Sequence, residues 1–260
     1  MSRLSSKNRR LTLLLSLLLW AMPSVAQDIT SNLVLHYQCN ETSGTTAADR
    51  AGTAQNGTLF GNATFGTGHP GTGNGCVFDG TGDYVNTPDH ADLDIGTGDL
   101  TVAFWMLATN ATVQQYLVQK GGPGGGAGFP GWAVSWSAHQ AGDPLVLQLN
   151  DSSGNAAGSW NVGDITNVWH HVCAVFDRDV GFLLYLDGTQ QGTTNTTITS
   201  RPASADNANA VWAGAYFSGP SFYFFGTLDD LRLWKRALTE ADCDAHMAYT
   251  EEGRRRAVVY

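Results

Sequence analysis

The sequence predicts an all-β fold: an antiparallel two-sheet sandwich with one short C-terminal helix. Three observations carry this. Short runs rich in Val, Leu, Phe, Tyr and Trp recur along the chain. Gly, Asn, Asp and Thr separate them, and Gly alone accounts for 31 of the 260 residues. Helical periodicity is nearly absent. Strands of this length with turn signals between them are the pattern of a sandwich.

The first candidate strands are LVLHYQC (33–39), CVFDG (76–80), DYVNTP (83–88) and LTVAFWMLA (100–108). Next come QYLVQKG (115–121), GWAVSWSA (131–138), LVLQLND (145–151) and AAGSWNVG (156–163). The last are WHHVCAVFDRD (169–179), GFLLYLDG (181–188), AVWAGAYF (210–217) and GTLDDLRLWKRAL (226–238). DGTGD (79–83) and LDGTQQG (186–192) read as hairpin turns, because Asp-Gly supplies the positive-φ residue. The helix is expected after Leu238. Thr239 can cap it with Asp242 three residues on, and Cys243 and Met247 would face the sandwich. The polar stretches 40–75 and 189–209 show no strand pattern. Long loops of that kind are usually functional. GGPGGGAGFPG (121–131) is a flexible loop, since no Gly-Lys-Ser/Thr follows to hold a phosphate.

Residues 1–26 read as a secretory signal peptide. Arg3, Lys7, Arg9 and Arg10 precede an apolar run of ten, and Ser24 and Ala26 sit at the cleavage spacing. The run is too short to span a bilayer, and no later segment is long and apolar enough, so the mature chain is expected to lack a membrane span. Residues 27–250 then form one domain, and 251–260 a basic tail around Arg254, Arg255 and Arg256. The leader holds four of the 14 basic residues and none of the 23 acids. The remainder is therefore more acidic than the whole chain at −9, which argues against nucleic acid as a partner. A secreted or periplasmic location also bears on Cys39, Cys76, Cys173 and Cys243. An even number in an oxidising compartment favours disulfides. Three connectivities are open. Cys39 with Cys76 is preferred, since each replaces an apolar residue in a core-facing strand.

His170, His171 and Cys173 invite a zinc reading. Strand alternation turns His170 away from the face shared by Trp169, His171, Cys173 and Val175. Two side chains fall short of the three or four ligands that zinc needs. Asp177 and Asp179 read as turn residues. Neither a Glu-x-Asp-x-x-Glu strand nor a Gly-x-Ser-x-Gly elbow occurs. Asn40, Asn56, Asn62, Asn110, Asn150 and Asn195 each open an N-glycosylation sequon.

Five stretches in order resemble the laminin-G-like jelly roll of the concanavalin A-like lectin and glucanase superfamily. They are LVLHYQCNETSGTTAAD, GCVFDGTGDYVNTPD, DLTVAFWM, VWHHVCAVFDRDVGFLLYLDG and GTLDDLRLWKRALTEAD, and they span about Leu33 to Met247. The resemblance implies a jelly roll of two antiparallel sheets. It also implies a structural calcium between the chain ends. Glu41, Asp229 and a carbonyl at Asn56 or Gly57 would be ligands, because paired carboxylates suit a hard cation. Asn40 departs from the acid often found in relatives. The fold alone does not fix chemistry. The expected function is a secreted, non-catalytic binding domain for carbohydrate or an extracellular protein. A glycoside hydrolase or polysaccharide lyase with a site the motifs do not reveal is the alternative. Trp136, Trp160 and Phe224 are aromatic candidates for a glycan site. Trp212, Tyr216, Phe222 and Tyr223, around the segment YFSGPSFYFFG, are preferred.

Overall fold

The computed structural model describes residues 28–52, 55–122, 129–217 and 222–249. The leader 1–26, the tail 251–260 and most of the Gly-rich run 121–131 lie outside the described residues. Sixteen strands and one α-helix are described, the strands in two antiparallel sheets. The first sheet holds β1 (Leu33–Tyr37), β4 (Thr64–Thr67), β5 (Asn74–Asp79), β7 (Leu100–Ala108), β12 (Trp169–Asp177), β13 (Gly181–Leu186), β14 (Thr189–Gln190) and β16 (Phe225–Trp234). Its order is β14-β13-β12-β7-β16-β5-β4, with β1 also paired to β16. The second holds β2 (Thr46–Ala47), β3 (Gly57–Phe60), β6 (Tyr84–Thr87), β8 (Gln114–Gly121), β9 (Gly131–Ser137), β10 (Pro144–Asp151), β11 (Gly154–Asn161) and β15 (Val211–Ala213). Its order is β11-β10-β9-β8-β15-β6-β3-β2.

Period-two alternation builds the core between the sheets. Leu35, Val102, Phe104, Phe176 and Leu233 project from the first sheet against Leu59, Val85, Trp132, Val134 and Leu147 of the second. Each such side chain contributes about 1.5–3 kcal/mol on burial. The opposite face of the first sheet is also covered. Ala103, Cys173, Val175, Tyr185 and Trp234 form a second cluster with Leu238 and Cys243. The cover is helix α1 (Glu240–Met247), whose Thr239–Asp242 capping box forms as the sequence predicts. Cys243 is buried as expected. Asp242 and His246 are the other buried residues of the helix, while Met247 is only half-buried beside Gly188.

Both disulfides are formed: Cys39–Cys76, as preferred, and Cys173–Cys243, with Cα atoms 5.4 and 6.0 Å apart. The second ties α1 to β12 and removes Cys173 from any zinc site.

β16 organises the first sheet. It pairs with β7 on one side; on the other it pairs with β5 from Phe225 to Leu228 and with β1 from Leu231 to Trp234. Between the two halves the ladder slips, and Asp230 sits at φ 47°. Such a bulge re-aims a side chain.

The structure corrects two expectations. Residues 79–83 are not a hairpin. β5 belongs to the first sheet and β6 to the second, so the turn crosses between layers. An Asp-Gly turn fits a crossing as well as a hairpin, and Asp83 anchors this one by accepting from the Asp79 and Asn62 amides. Segment 40–75 does contain strands, namely β2, β3 and β4. They have two to four residues each, too few to show alternation.

Candidate functional site

The opening histidines of β12 make hydrogen bonds on opposite faces of the strand. His170 turns outward, and its Nδ1 is 2.7 Å from Asp187 Oδ2. His171 turns under α1, where its Nε2 meets His246 Nδ1 at 2.8 Å. His246 Nε2 lies 3.2 Å from the Asp230 carbonyl and 3.3 Å from its carboxylate. The Asp230 carboxylate also takes His36 Nε2 at 2.7 Å and the Arg232 guanidinium at 3.2 Å. Since His246 Nε2 donates, its Nδ1 accepts from His171. Burial and the adjacent His246 hold His171 well below the usual histidine range, and burial lowers His246 too. Burial alone would raise Asp230. Hydrogen bonds from His246 and His36 and the Arg232 charge outweigh it and hold the carboxyl well below its ordinary value. Asp177 caps its own turn, accepting from the Asp179 and Val180 amides.

The seam read as a calcium site is built differently at its two ends. Asp229 is fully supplied with donors: Thr72 Oγ1 at 2.5 Å, His69 N at 2.9 Å and Asp230 N at 2.6 Å. Burial pushes its carboxyl up to about 6. Glu41 accepts from Ala48 N at 3.1 Å through Oε1, and its buried Oε2 has no partner among the described residues. Asn40 and Glu41 are stitched to Asn74 by one hydrogen bond each. Gly57 lies in β3 of the second sheet, backed by Tyr37 and Val85. Among the described residues no group of three or more His, Cys, Asp or Glu could hold a metal. For a calcium ion the seam offers one uncommitted carboxylate oxygen, on Glu41.

The outer face of the second sheet is aromatic and part-exposed along β3, β6 and β15, whereas β8 and β9 are covered on both faces. Register puts Phe60 opposite Tyr84, and Trp212 diagonal to Tyr84 across β15 and β6. The rings stack in a row, with centroids 4.9 Å apart for Phe60–Tyr84 and 4.2 Å for Tyr84–Trp212. Phe60 is 43% exposed. Opposite Trp212 in β8 lies Gln119, which is buried and donates through Nε2 to the Ala215 carbonyl; its carbonyl oxygen and the buried Ser135 Oγ, one strand further, have no partner among the described residues.

The remaining preferred aromatics gather at the end of this row. Tyr216 and Phe222 pack on Tyr116 of β8, and burial raises the Tyr116 phenol to about 12. Phe222 has φ 88°, a costly conformation for a bulky residue, held by its carbonyl accepting from Tyr116 N. Burial, and secondarily the charge of Tyr223, raise the Tyr84 phenol. Phe222 and Tyr223 line a cleft of about 470 Å³ with Val113, Gln114 and His139. Residues 218–221 of the same segment lie outside the described residues.

Trp212, Tyr216, Phe222 and Tyr223 therefore join one surface. Trp136 and Phe224 are core residues, and Trp160 is 7% exposed. Sequence reasoning missed Phe60, Tyr84 and Tyr116. The eight strands of this sheet carry a single carboxylate, Asp151 at the end of β10. Asp151 is committed to Ser153, Gly154 and Ala203.

The laminin-G model of the concanavalin A-like lectin/glucanases superfamily matches residues 79–243. The chain belongs to that superfamily. Among solved structures, this concanavalin A-like chain resembles domain 4 of AbnA, a GH43 extracellular arabinanase from Geobacillus stearothermophilus, in complex with arabinotriose. The TM-score is 0.62 at 17% identity, covering 83% of this chain and 98% of that one. It also resembles the binding domain of Paraclostridial Mosquitocidal Protein 1, with TM-score 0.63, 15% identity and coverage of 84% and 52%. A third is the botulinum neurotoxin serotype D ligand binding domain in complex with N-acetylneuraminic acid, with TM-score 0.64, 12% identity and coverage of 84% and 51%. The chain spans about half the length of these toxin domains. At such identities the likeness is one of fold. No curated protein sequence matches. No helix among the described residues is long and apolar enough to cross a membrane.

Proposed function

We propose that this superfamily member is a secreted, non-catalytic carbohydrate-binding domain. The observation that carries the reading is the Phe60–Tyr84–Trp212 row, which runs along the outer face toward the Phe222–Tyr223 cleft. Sugar rings stack on aromatic surfaces, and the part-exposed Asn86, paired with Trp212 across the strands, supplies an amide on the same face. Glycoside hydrolysis uses two facing carboxylates, and the strands of this face supply rings and amides instead. The arabinotriose and N-acetylneuraminic acid complexes of two neighbours support a glycan partner. Two disulfides and the leader-like N-terminus support secretion.

The test is a glycan array followed by calorimetry. A hit that weakens at least tenfold in Trp212→Ala supports the reading. No hit, with and without calcium, would leave an extracellular protein as the partner. Calcium is proposed at the Glu41 oxygen and is tested separately. A melting midpoint that rises with calcium, and fails to rise in Glu41→Gln, supports it; an unchanged midpoint removes it.

A further inference from the structure

The long side of the sandwich carries a second cleft, remote in sequence from the aromatic row. It lies where β11, the edge strand of the second sheet, faces segment 191–197 leaving the first. Its volume is about 560 Å³, within the range of about 300–1,000 Å³ for ligand pockets.

The walls are fixed from within. Asn195 and Phe182 exchange both backbone hydrogen bonds, and Gln191 N donates to Leu184 O. Trp160 Nε1 donates to Thr193 O at 3.2 Å, and Gly192, at φ 54°, lies close against that indole. Thr197 Oγ1 donates to the Ala157 carbonyl of β11.

What these bonds leave over is distinctive. Ser159, Asn161, Thr193, Thr194 and Thr196 line the cleft, and their side-chain polar atoms make no hydrogen bond to the protein among the described residues. Asp, Glu, Lys, Arg and His are all missing from the lining, although the chain carries 23 acids. Hydroxyl and amide groups on fixed backbone match a neutral, hydroxyl-rich ligand. They offer no counter-charge to an ionic one, and they lose little entropy on binding because the loop is already held. The polar segment 189–209, which the sequence marks as a long loop, thus becomes one wall of a preorganised cleft.

We propose that the cleft between β11 and residues 191–197 is a second binding site, selective for neutral oligosaccharides. It rests on the carbohydrate-binding reading but on a different surface, so the two can fail separately.

The experiment is chemical-shift mapping on the isotope-labelled protein. The probes are neutral trisaccharides of arabinose, xylose, glucose and mannose, with a galacturonic acid trimer as the charged counterpart. The expected result is saturable shifts at the 159–161 and 191–197 amides with at least one neutral trimer and none with the galacturonate. The shifts should persist in Trp212→Ala and weaken at least tenfold in the Asn161→Ala/Thr194→Val double variant. Wild-type mapping stands even if that variant folds poorly. The proposal is overturned if these amides respond to no neutral trimer, if they respond equally to the galacturonate, or if Trp212→Ala abolishes the response. Shifts confined to Phe60, Tyr84 and Trp212 would overturn it while leaving the proposed function intact.

Discussion

The outer face of the first sheet carries Asp230, His36, His171 and Arg232 beneath a helix. The outer face of the second carries Phe60, Tyr84 and Trp212 with no helix over them. Both faces bring together side chains from strands distant in sequence. They differ in what covers them. On the first, α1 is held by a capping box and by Cys173–Cys243, and the Asp230 carboxylate is paired with His36, His246 and Arg232. On the second, the rings of Phe60, Tyr84 and Trp212 remain part-exposed. A buried ionic network turns polar residues into a structural dependence, whereas exposed rings are kept at some cost in solvation and are free for a ligand.

Substitutions should therefore act on stability at one face and on binding at the other. Asp230→Ala should have the largest effect. It removes the carboxylate that pairs with Arg232 and accepts from His36 and His246, and breaking a buried pair costs about 3–5 kcal/mol. Chemical unfolding measures this; a loss below about 1 kcal/mol would show that the network contributes little.

Next comes the helix tether. Cys173 and Cys243 are 70 residues apart, and a loop of that size confines the unfolded chain by about 4 kcal/mol. The Cys173→Ser/Cys243→Ser variant should unfold earlier while keeping its glycan affinity. A loss of affinity in a still-folded variant would break the separation of the two faces.

Acid should act on the same covered face. His171 and His246 are held below their ordinary value, so below about pH 6.5 the unfolded chain takes up protons that the folded chain refuses. Stability is lost as pH falls from there. Asp229, raised to about 6, works the other way between pH 6 and its unfolded value of 3.8, because the folded state binds that proton first. Two histidines outweigh one carboxyl, leaving a net loss of stability between pH 6.5 and pH 5. Below 3.8 the depressed Asp230 adds a further loss. Melting midpoints at pH 7 and 5 measure this, and His171→Gln should shrink the difference. A flat profile would mean that the two rings are not held neutral.

The smallest stability effect is expected for Phe60→Ala, at or below about 1 kcal/mol for an exposed ring, alongside a several-fold weaker glycan affinity by calorimetry. If stability falls instead by as much as in Asp230→Ala, the aromatic row is structural.

Much of the fold was legible because core strands alternate visibly. LTVAFWMLA formed its expected strand, WHHVCAVF kept its predicted faces, and Thr239 capped its helix. The Cys39–Cys76 preference also held. The site was only partly legible. Trp212 and the 216–223 segment stood out as aromatic-rich, but Phe60 and Tyr84 looked like isolated rings in polar surroundings. Nothing local says that β3 and β6 lie side by side. His246 gave no signal either, since a single histidine in a short helix carries no hint of Asp230.

Taken alone, the sequence determined which residues must be buried, where strands turn and where the helix begins, because alternation and capping act over a few residues. Which strands become neighbours was decided by the tertiary structure. That arrangement joined Cys173 to Cys243, aligned His171, His246 and Asp230, stacked Phe60 on Tyr84 and Trp212, and set β11 opposite residues 191–197. Such contacts depend on pairing between segments far apart along the chain, which local propensity does not encode.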